Sequence, residues 1–261
     1  MLISSVSSTI VGKLHLSMIP SRPNEDVRGL VVHEGKYAFY LIDGAGGEVN
    51  GQLASAAIAR KLDAILPAAM STWNNEQEAV AGLSDVLVAA NQAALDVKGM
   101  ATIVIFVVLP SGEWALTQVG DAVFLGLDAA GNWILPVMPK KFTLKRNMTW
   151  LLGGCADVNE LSPEHVSGSL PFVAFVMTSD WSCGPSVNNI LQDISFTVEI
   201  QGNYVQNQQI LDWLKDRLIV QGRMMTTKEL EDLLIAIQEG RVAEIAFSRD
   251  DMTLIFGVIK S

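Results

Sequence analysis

The stretch Tyr37-Ala38-Phe39-Tyr40-Leu41-Ile42-Asp43-Gly44-Ala45-Gly46-Gly47 is an apolar run that stops on a carboxylate and then on small residues. The aromatic and branched side chains of Tyr37–Ile42 read as a buried strand, and Asp43-Gly44 as the turn that ends it. Just upstream, Ser21-Arg22-Pro23-Asn24-Glu25-Asp26 gathers turn formers before Val27–His33 resumes a strand-like pattern. An earlier apolar run that includes Val11–Met18 is a further strand candidate. Downstream the period changes. Leu53, Ala57, Leu62 and Leu66 recur at roughly helical spacing in an Ala-rich segment, and Asn75–Val97 repeats the pattern with good helix formers. Consecutive helices between strands argue for helices packed on the outside of a sheet system.

The middle of the chain is β-rich. Thr102–Leu109, Trp114–Val119 and Val123–Leu127 are separated by Pro110-Ser111-Gly112 and by Gly120-Asp121, and such short turns predict an antiparallel meander. Asp128–Asn132 is another turn, leading into Trp133–Val137. Residues Lys140–Leu170 are the least regular and read either as a long loop or flap over a site or as a plain surface excursion. Phe172–Met177 is an apolar strand running into Thr178-Ser179-Asp180. Helices are expected at Gln208–Val220 and at Thr227–Glu239, the latter capped by Thr227, and Met252–Ile259 closes the chain as a strand after Asp250-Asp251. With no internal repeat and no Pro/Ser-rich linker, residues 1–261 read as a single domain.

Composition narrows the function. The 261 residues are 49% hydrophobic, enough for a sizeable core, and carry a formal net charge of −10. No Lys/Arg run exists, which argues against nucleic acid and anionic membrane as partners. The acidity serves either solubility or a cluster of carboxylates that holds cations. Cys155 and Cys183 are the only cysteines and form no disulfide framework, which suits a reducing compartment. The start lacks the pattern of a signal peptide, and the longest apolar stretch, Ala101–Pro110, is too short to span a bilayer. A soluble, cytoplasmic protein is the expectation.

Acidic residues recur at strand ends: Asp43 and Asp180 end strands, Asp250 precedes one, and Glu25 sits at a turn between two. Strand ends share a rim, so residues distant in sequence can converge there. Carboxylates brought together resist ionisation unless cations neutralise them, and Mg²⁺ or Mn²⁺ prefers such oxygen ligands. Taken singly, each element also reads as an ordinary turn, cap or charged strand entry. Other constellations are absent. His15, His33 and His165 are isolated, Gly44–Gly47 lacks the Gly-Lys-Ser/Thr of a phosphate-binding loop, and no Gly-x-Ser-x-Gly elbow occurs.

In their order, Asn24-Glu25-Asp26, Asp43-Gly44-Ala45-Gly46-Gly47, Gly120-Asp121, Thr178-Ser179-Asp180 and Arg249-Asp250-Asp251-Met252-Thr253 resemble the type-2C metal-dependent protein serine/threonine phosphatases. The set spans nearly the whole chain. The resemblance implies an α+β fold, a four-layer αββα sandwich of two antiparallel sheets flanked by helix pairs. It implies two Mn²⁺ or Mg²⁺ ions, with Asp43 bridging them, Glu25 and the Gly44 carbonyl serving one, and Asp180 and Asp250 the other. Asp26 is then the acid that holds metal-bound water, Asp121 a ligand of a weaker third ion, and Arg22 the phosphate clamp. The implied reaction is in-line attack of a metal-activated water on a phosphomonoester, with a phosphorylated protein, the product of a serine/threonine kinase, as substrate.

Departures from the family pattern surround this set. The family's Arg lies one residue further from the Glu than Arg22 does, with Pro23 intervening here. Its Ser-Asp-Gly reads Ser179-Asp180-Trp181, and its Gly-Asp-Ser reads Gly120-Asp121-Ala122. Ala45 replaces a His that some members use as general acid and bacterial members commonly lack. Three readings follow: an active phosphatase of bacterial style, a phosphatase-like regulatory module that binds a phosphoprotein without turnover, and an unrelated α/β binding protein.

Overall fold

The structure, a computed structural model, describes residues 2–10, 24–45, 50–137, 151–161, 163–169, 172–179, 225–239, 241 and 251–260. Two five-stranded antiparallel sheets are built from them. One sheet orders β1 (Leu2–Ile10), β10 (Met252–Lys260), β9 (Ala174–Thr178), β6 (Val123–Leu127) and β7 (Trp133–Ile134). The other orders β2 (Asp26–His33), β3 (Lys36–Gly44), β4 (Ala101–Val108), β5 (Trp114–Val119) and β8 (Glu164–Gly168). Helices α1 (Gly51–Met70) and α2 (Glu76–Asp96) cover the outer face of the β2–β8 sheet, and α3 (Thr227–Gln238) covers that of the β1–β7 sheet. The expected α+β sandwich is the observed architecture. The expected strand at Val11–Met18 and helix at Gln208–Val220 lie outside the described residues. No described helix is long and apolar enough to cross a membrane.

Strand β4 shows why the layers stack as they do. All eight of its residues are buried, so both of its faces must be covered. Ile103, Ile105 and Val107 meet Ile58, Leu62 and Leu66 of α1 and Leu83 and Leu87 of α2. Val104, Phe106 and Val108 point the other way, toward Phe124, Phe175 and Ile255 of the opposite sheet. Aromatic rings fill this middle layer. Phe39 and Phe175 meet edge-on at 4.7 Å between centroids, and Phe106 and Phe124 are tilted at 4.3 Å. Such pairs contribute roughly 0.5–1.5 kcal/mol each beyond the area they bury.

Several boundaries differ from the sequence expectation for local reasons. α1 runs through Pro67 to Met70, whose side chain is fully buried, and the buried Lys36 ammonium donates to the Met70 carbonyl at 2.7 Å. A cation on the last carbonyls suits the helix dipole. The N-cap of α3 is Thr226 rather than Thr227, in a reciprocal capping box with Glu229. Strand β1, rich in serine, was not expected. It pairs with β10 from Leu2↔Lys260 to Ile10↔Met252 and turns Val6 and Ile10 toward the α3 layer. The irregular Lys140–Leu170 contains, in its described part, a 3-10 turn at Val158–Leu161 and β8, which completes a sheet beside β5. The expected meander also breaks. β5 and β6 belong to different sheets, and Gly120, with φ of +93°, turns the chain from one to the other.

Candidate active site

Alternate residues of β3, Phe39 and Leu41, enter the layer between the sheets, and Asp43 is the next residue on that face. The register places Asp26 of β2 opposite Asp43, and Thr102 of β4 opposite it on the other side. The apolar middle layer thus ends in a polar row. From the facing sheet, β9 carries Phe175 and Met177 into the core before Ser179, and β10 carries Ile255 with Thr253 two residues earlier. The β5–β6 crossing brings buried Asp121 to the same end, since Gly120 abuts Thr102.

Backbone contacts hold the row in place. The Gly44 N–H donates to the Glu25 carbonyl at 3.2 Å, and Gly44 also lies against Gly51 at the start of α1. A β-carbon on Gly44 would stand 2.5 Å from the Gly51 carbonyl oxygen and 2.9 Å from that of Glu25, so only glycine allows this approach. The Asp26 N–H donates to Asn24 Oδ1 at 2.8 Å, closing a local turn. Between sheets, the Glu25 N–H donates to Asp251 Oδ2 at 2.8 Å; within the β1–β10 pair, the Thr253 hydroxyl donates to Thr9 Oγ1 at 2.7 Å. Asn24 Nδ2 donates to the same Thr9 oxygen, and the Thr253 N–H donates to Ser179 Oγ at 3.1 Å.

Asp26 is the electrostatic centre of this end. It is 5% exposed, and neither carboxylate oxygen has a hydrogen-bond partner among the described residues. Burial pushes its carboxyl up to about 7, and the charge of Asp251 adds to the rise. The hydroxyls of Thr253 and Ser179 and the carboxyl of Asp43 are near enough to pull it part of the way back. Neither hydroxyl reaches it at hydrogen-bonding geometry; that of Thr253 is committed to Thr9. Thr102 Oγ1 and Gln118 Oε1 are likewise buried without partners.

Of the residues singled out from sequence, Glu25, Asp26, Asp43, Gly44 and Asp121 gather at this one end of the sandwich. Arg22, Asp180, Trp181 and Asp250 lie outside the described residues. Among the described residues, no group of three or more His, Cys, Asp or Glu side chains is arranged to hold a metal ion. Asp251, Thr253 and Ser179 stand in the quoted motifs without a role of their own, and Thr9 stands in none. The period-2 alternation that buries Ile255 and Met177 carries Thr253 and Ser179 onto the inner face, and that signal was available.

The chain belongs to the protein phosphatase 2C family, whose profile matches residues 12–180. Solved structures share the fold. The serine/threonine phosphatase Stp1 from Staphylococcus aureus is 16% identical, with 100% of this chain and 96% of that one covered and a TM-score of 0.68. The S. agalactiae serine/threonine phosphatase is 14% identical over 99% of this chain and 100% of that one, with a TM-score of 0.64. RsbX, solved in complex with magnesium, is 13% identical over 99% and 96%, with a TM-score of 0.59. No curated protein sequence matches the chain.

Proposed function

We propose that the chain, as a single domain, is a metal-dependent phosphatase of phosphoserine and phosphothreonine in proteins. One observation carries this reading: the buried Asp26 carboxylate, without a hydrogen bond among the described residues, sits opposite Asp43 and next to the buried Glu25 in the chain. Negative charge gathered there calls for a cation, and carboxylates with a backbone carbonyl are the donors that Mn²⁺ and Mg²⁺ prefer. In this reading Asp43 would be shared by two ions, with Glu25 and the Gly44 carbonyl holding one and Asp180 and Asp250 the other, and Asp121 would serve a third. Divalent ions bound there supply a nucleophilic water at neutral pH and offset the charge on the phosphoryl group. Asp26, an acceptor on both oxygens, orients the attacking water. Arg22 clamps two phosphate oxygens with its planar guanidinium. Water adds to phosphorus as the ester P–O bond breaks, releasing orthophosphate and the serine or threonine hydroxyl.

Family membership supports a phosphoprotein as substrate and a serine/threonine kinase as the opposing activity; a cytoplasmic location fits both. The test is Mn²⁺-dependent hydrolysis of a phosphothreonine peptide by the wild type and by Asp43→Asn. A folded wild type inactive with every divalent ion leaves the non-catalytic phosphoprotein-binding module in its place. Full activity in Asp43→Asn removes the bridging role.

A further inference from the structure

We propose that Asp251 is a positioning residue that sets Glu25 in the site from the opposite sheet, acting as a hydrogen-bond acceptor. The inference rests on the reading of the site given above. Glu25 and Asp251 are 226 positions apart, yet the Glu25 N–H donates to Asp251 Oδ2 at 2.8 Å in a buried setting. A carboxylate accepting from a buried amide makes one of the stronger hydrogen bonds available to a protein. The same residue's carbonyl accepts from the Gly44 N–H at 3.2 Å. The backbone of Glu25 is therefore tied to Gly44 in its own sheet and to Asp251 across the gap. One residue earlier, Asn24 is tied through Thr9 to Thr253.

Joining the sheets does not by itself call for a carboxylate at this place. Asp251 is 4% exposed, and its charge acts against that of Asp26. A buried charge beside another of the same sign is costly, and a neutral residue would join the sheets at less expense. What the position requires is an acceptor aimed at the Glu25 amide. Groups that orient a ligand without touching the metal commonly alter metal affinity by about 10–100-fold when removed.

The experiment compares Asp251→Asn, which keeps an acceptor, with Asp251→Ala, which does not; Asp251→Leu replaces the latter if it fails to fold. Thr9→Val, which cuts the other inter-sheet tie, is the structural control. Mn²⁺ affinity is measured by calorimetry, and amide hydrogen exchange at Glu25 is measured on the metal-free protein. The expected result is loss of Glu25 amide protection and an affinity about 10-fold weaker in Asp251→Ala. On a phosphothreonine peptide kcat falls while KM holds. Asp251→Asn keeps near wild-type values, and Thr9→Val loses thermal stability but little affinity. Equal weakening in Asp251→Asn and Asp251→Ala overturns the proposal in favour of a direct role for the charge. Equal weakening in Thr9→Val and Asp251→Ala overturns it in favour of general sheet packing. A wild type that binds no Mn²⁺ defeats the proposed function instead, and the Glu25 amide then decides the positioning role alone.

Discussion

Asp26 and Asp43 stand opposite each other across the β2–β3 ladder, on the face that closes against the second sheet. Burial and the charge of Asp251 both disfavour the ionised form of Asp26, and the Asp43 carboxyl offsets only part of that cost. The metal-free fold therefore carries strain of an electrostatic kind at the end where its chemistry is proposed to occur.

Replacing Asp26 with asparagine removes that cost. Asp26→Asn is expected to melt higher than wild type in chelator at pH 7.5. Its Mn²⁺-dependent hydrolysis of a phosphopeptide is expected to fall by about 10-fold or more, as for other groups that support metal ligands. Scanning calorimetry and a phosphate-release assay check the two halves independently.

The same residue sets a pH dependence. The Asp26 carboxyl is raised from 3.8 to about 7 in the folded chain. Between those values the native state holds the proton more readily than the unfolded state, so the metal-free protein gains stability as pH falls from 7 toward 4. Asp26→Asn should lack this contribution. Denaturant unfolding at several pH values in chelator reads the difference in slope.

His165 acts in the opposite sense. It is half-buried near Ser84, its Nδ1 has no partner, and burial lowers its pKa below the ordinary 6.5. Its neutral form contributes stability that is fully present above 6.5 and lost as pH falls below it. In an Asp26→Asn background, His165→Phe should flatten the remaining loss of stability in acid; an unchanged slope would refute the assignment.

Gly44→Ala tests the close approach of β3 to α1. The added methyl meets backbone oxygens of Gly51 and Glu25, which cannot swing aside, and crowding of this kind costs about 1–3 kcal/mol. Urea unfolding should show that loss, and Mn²⁺ affinity should fall with it because the backbone that carries Glu25 and the Gly44 carbonyl is displaced. By contrast, Thr226→Ala in the α3 capping box should cost about 1 kcal/mol and leave affinity unchanged.

The sandwich was legible because its central strands carry strong patterns. Trp114–Val119 and Val123–Leu127 coincide with β5 and β6, and α2 begins after Asn75, whose side chain accepts from the Glu78 N–H. Strand β1 was hidden because serines fill four of its nine positions, on both faces, and its pairing partner lies about 250 residues away. The separation of β5 from β6 was hidden too, since a short turn can close a hairpin or pass between sheets. Only the packing of Phe124 against Phe106 settles which. In the site, Glu25, Asp43 and Asp121 were found because carboxylates at strand ends stand out. Asp251 was passed over because its part is played through the Glu25 backbone, which leaves no trace in residue type.

The pairing of β1 with β10 has a consequence for how the molecule is made. The strands of the β2–β8 sheet all fall within residues 26–168, so that sheet is able to assemble while synthesis continues. The other sheet pairs β1 with β10, and Asp251 immediately precedes β10. The site therefore closes only after β10 has left the ribosome. Until then a nascent chain is incapable of the proposed activity, whatever its earlier half has already folded into.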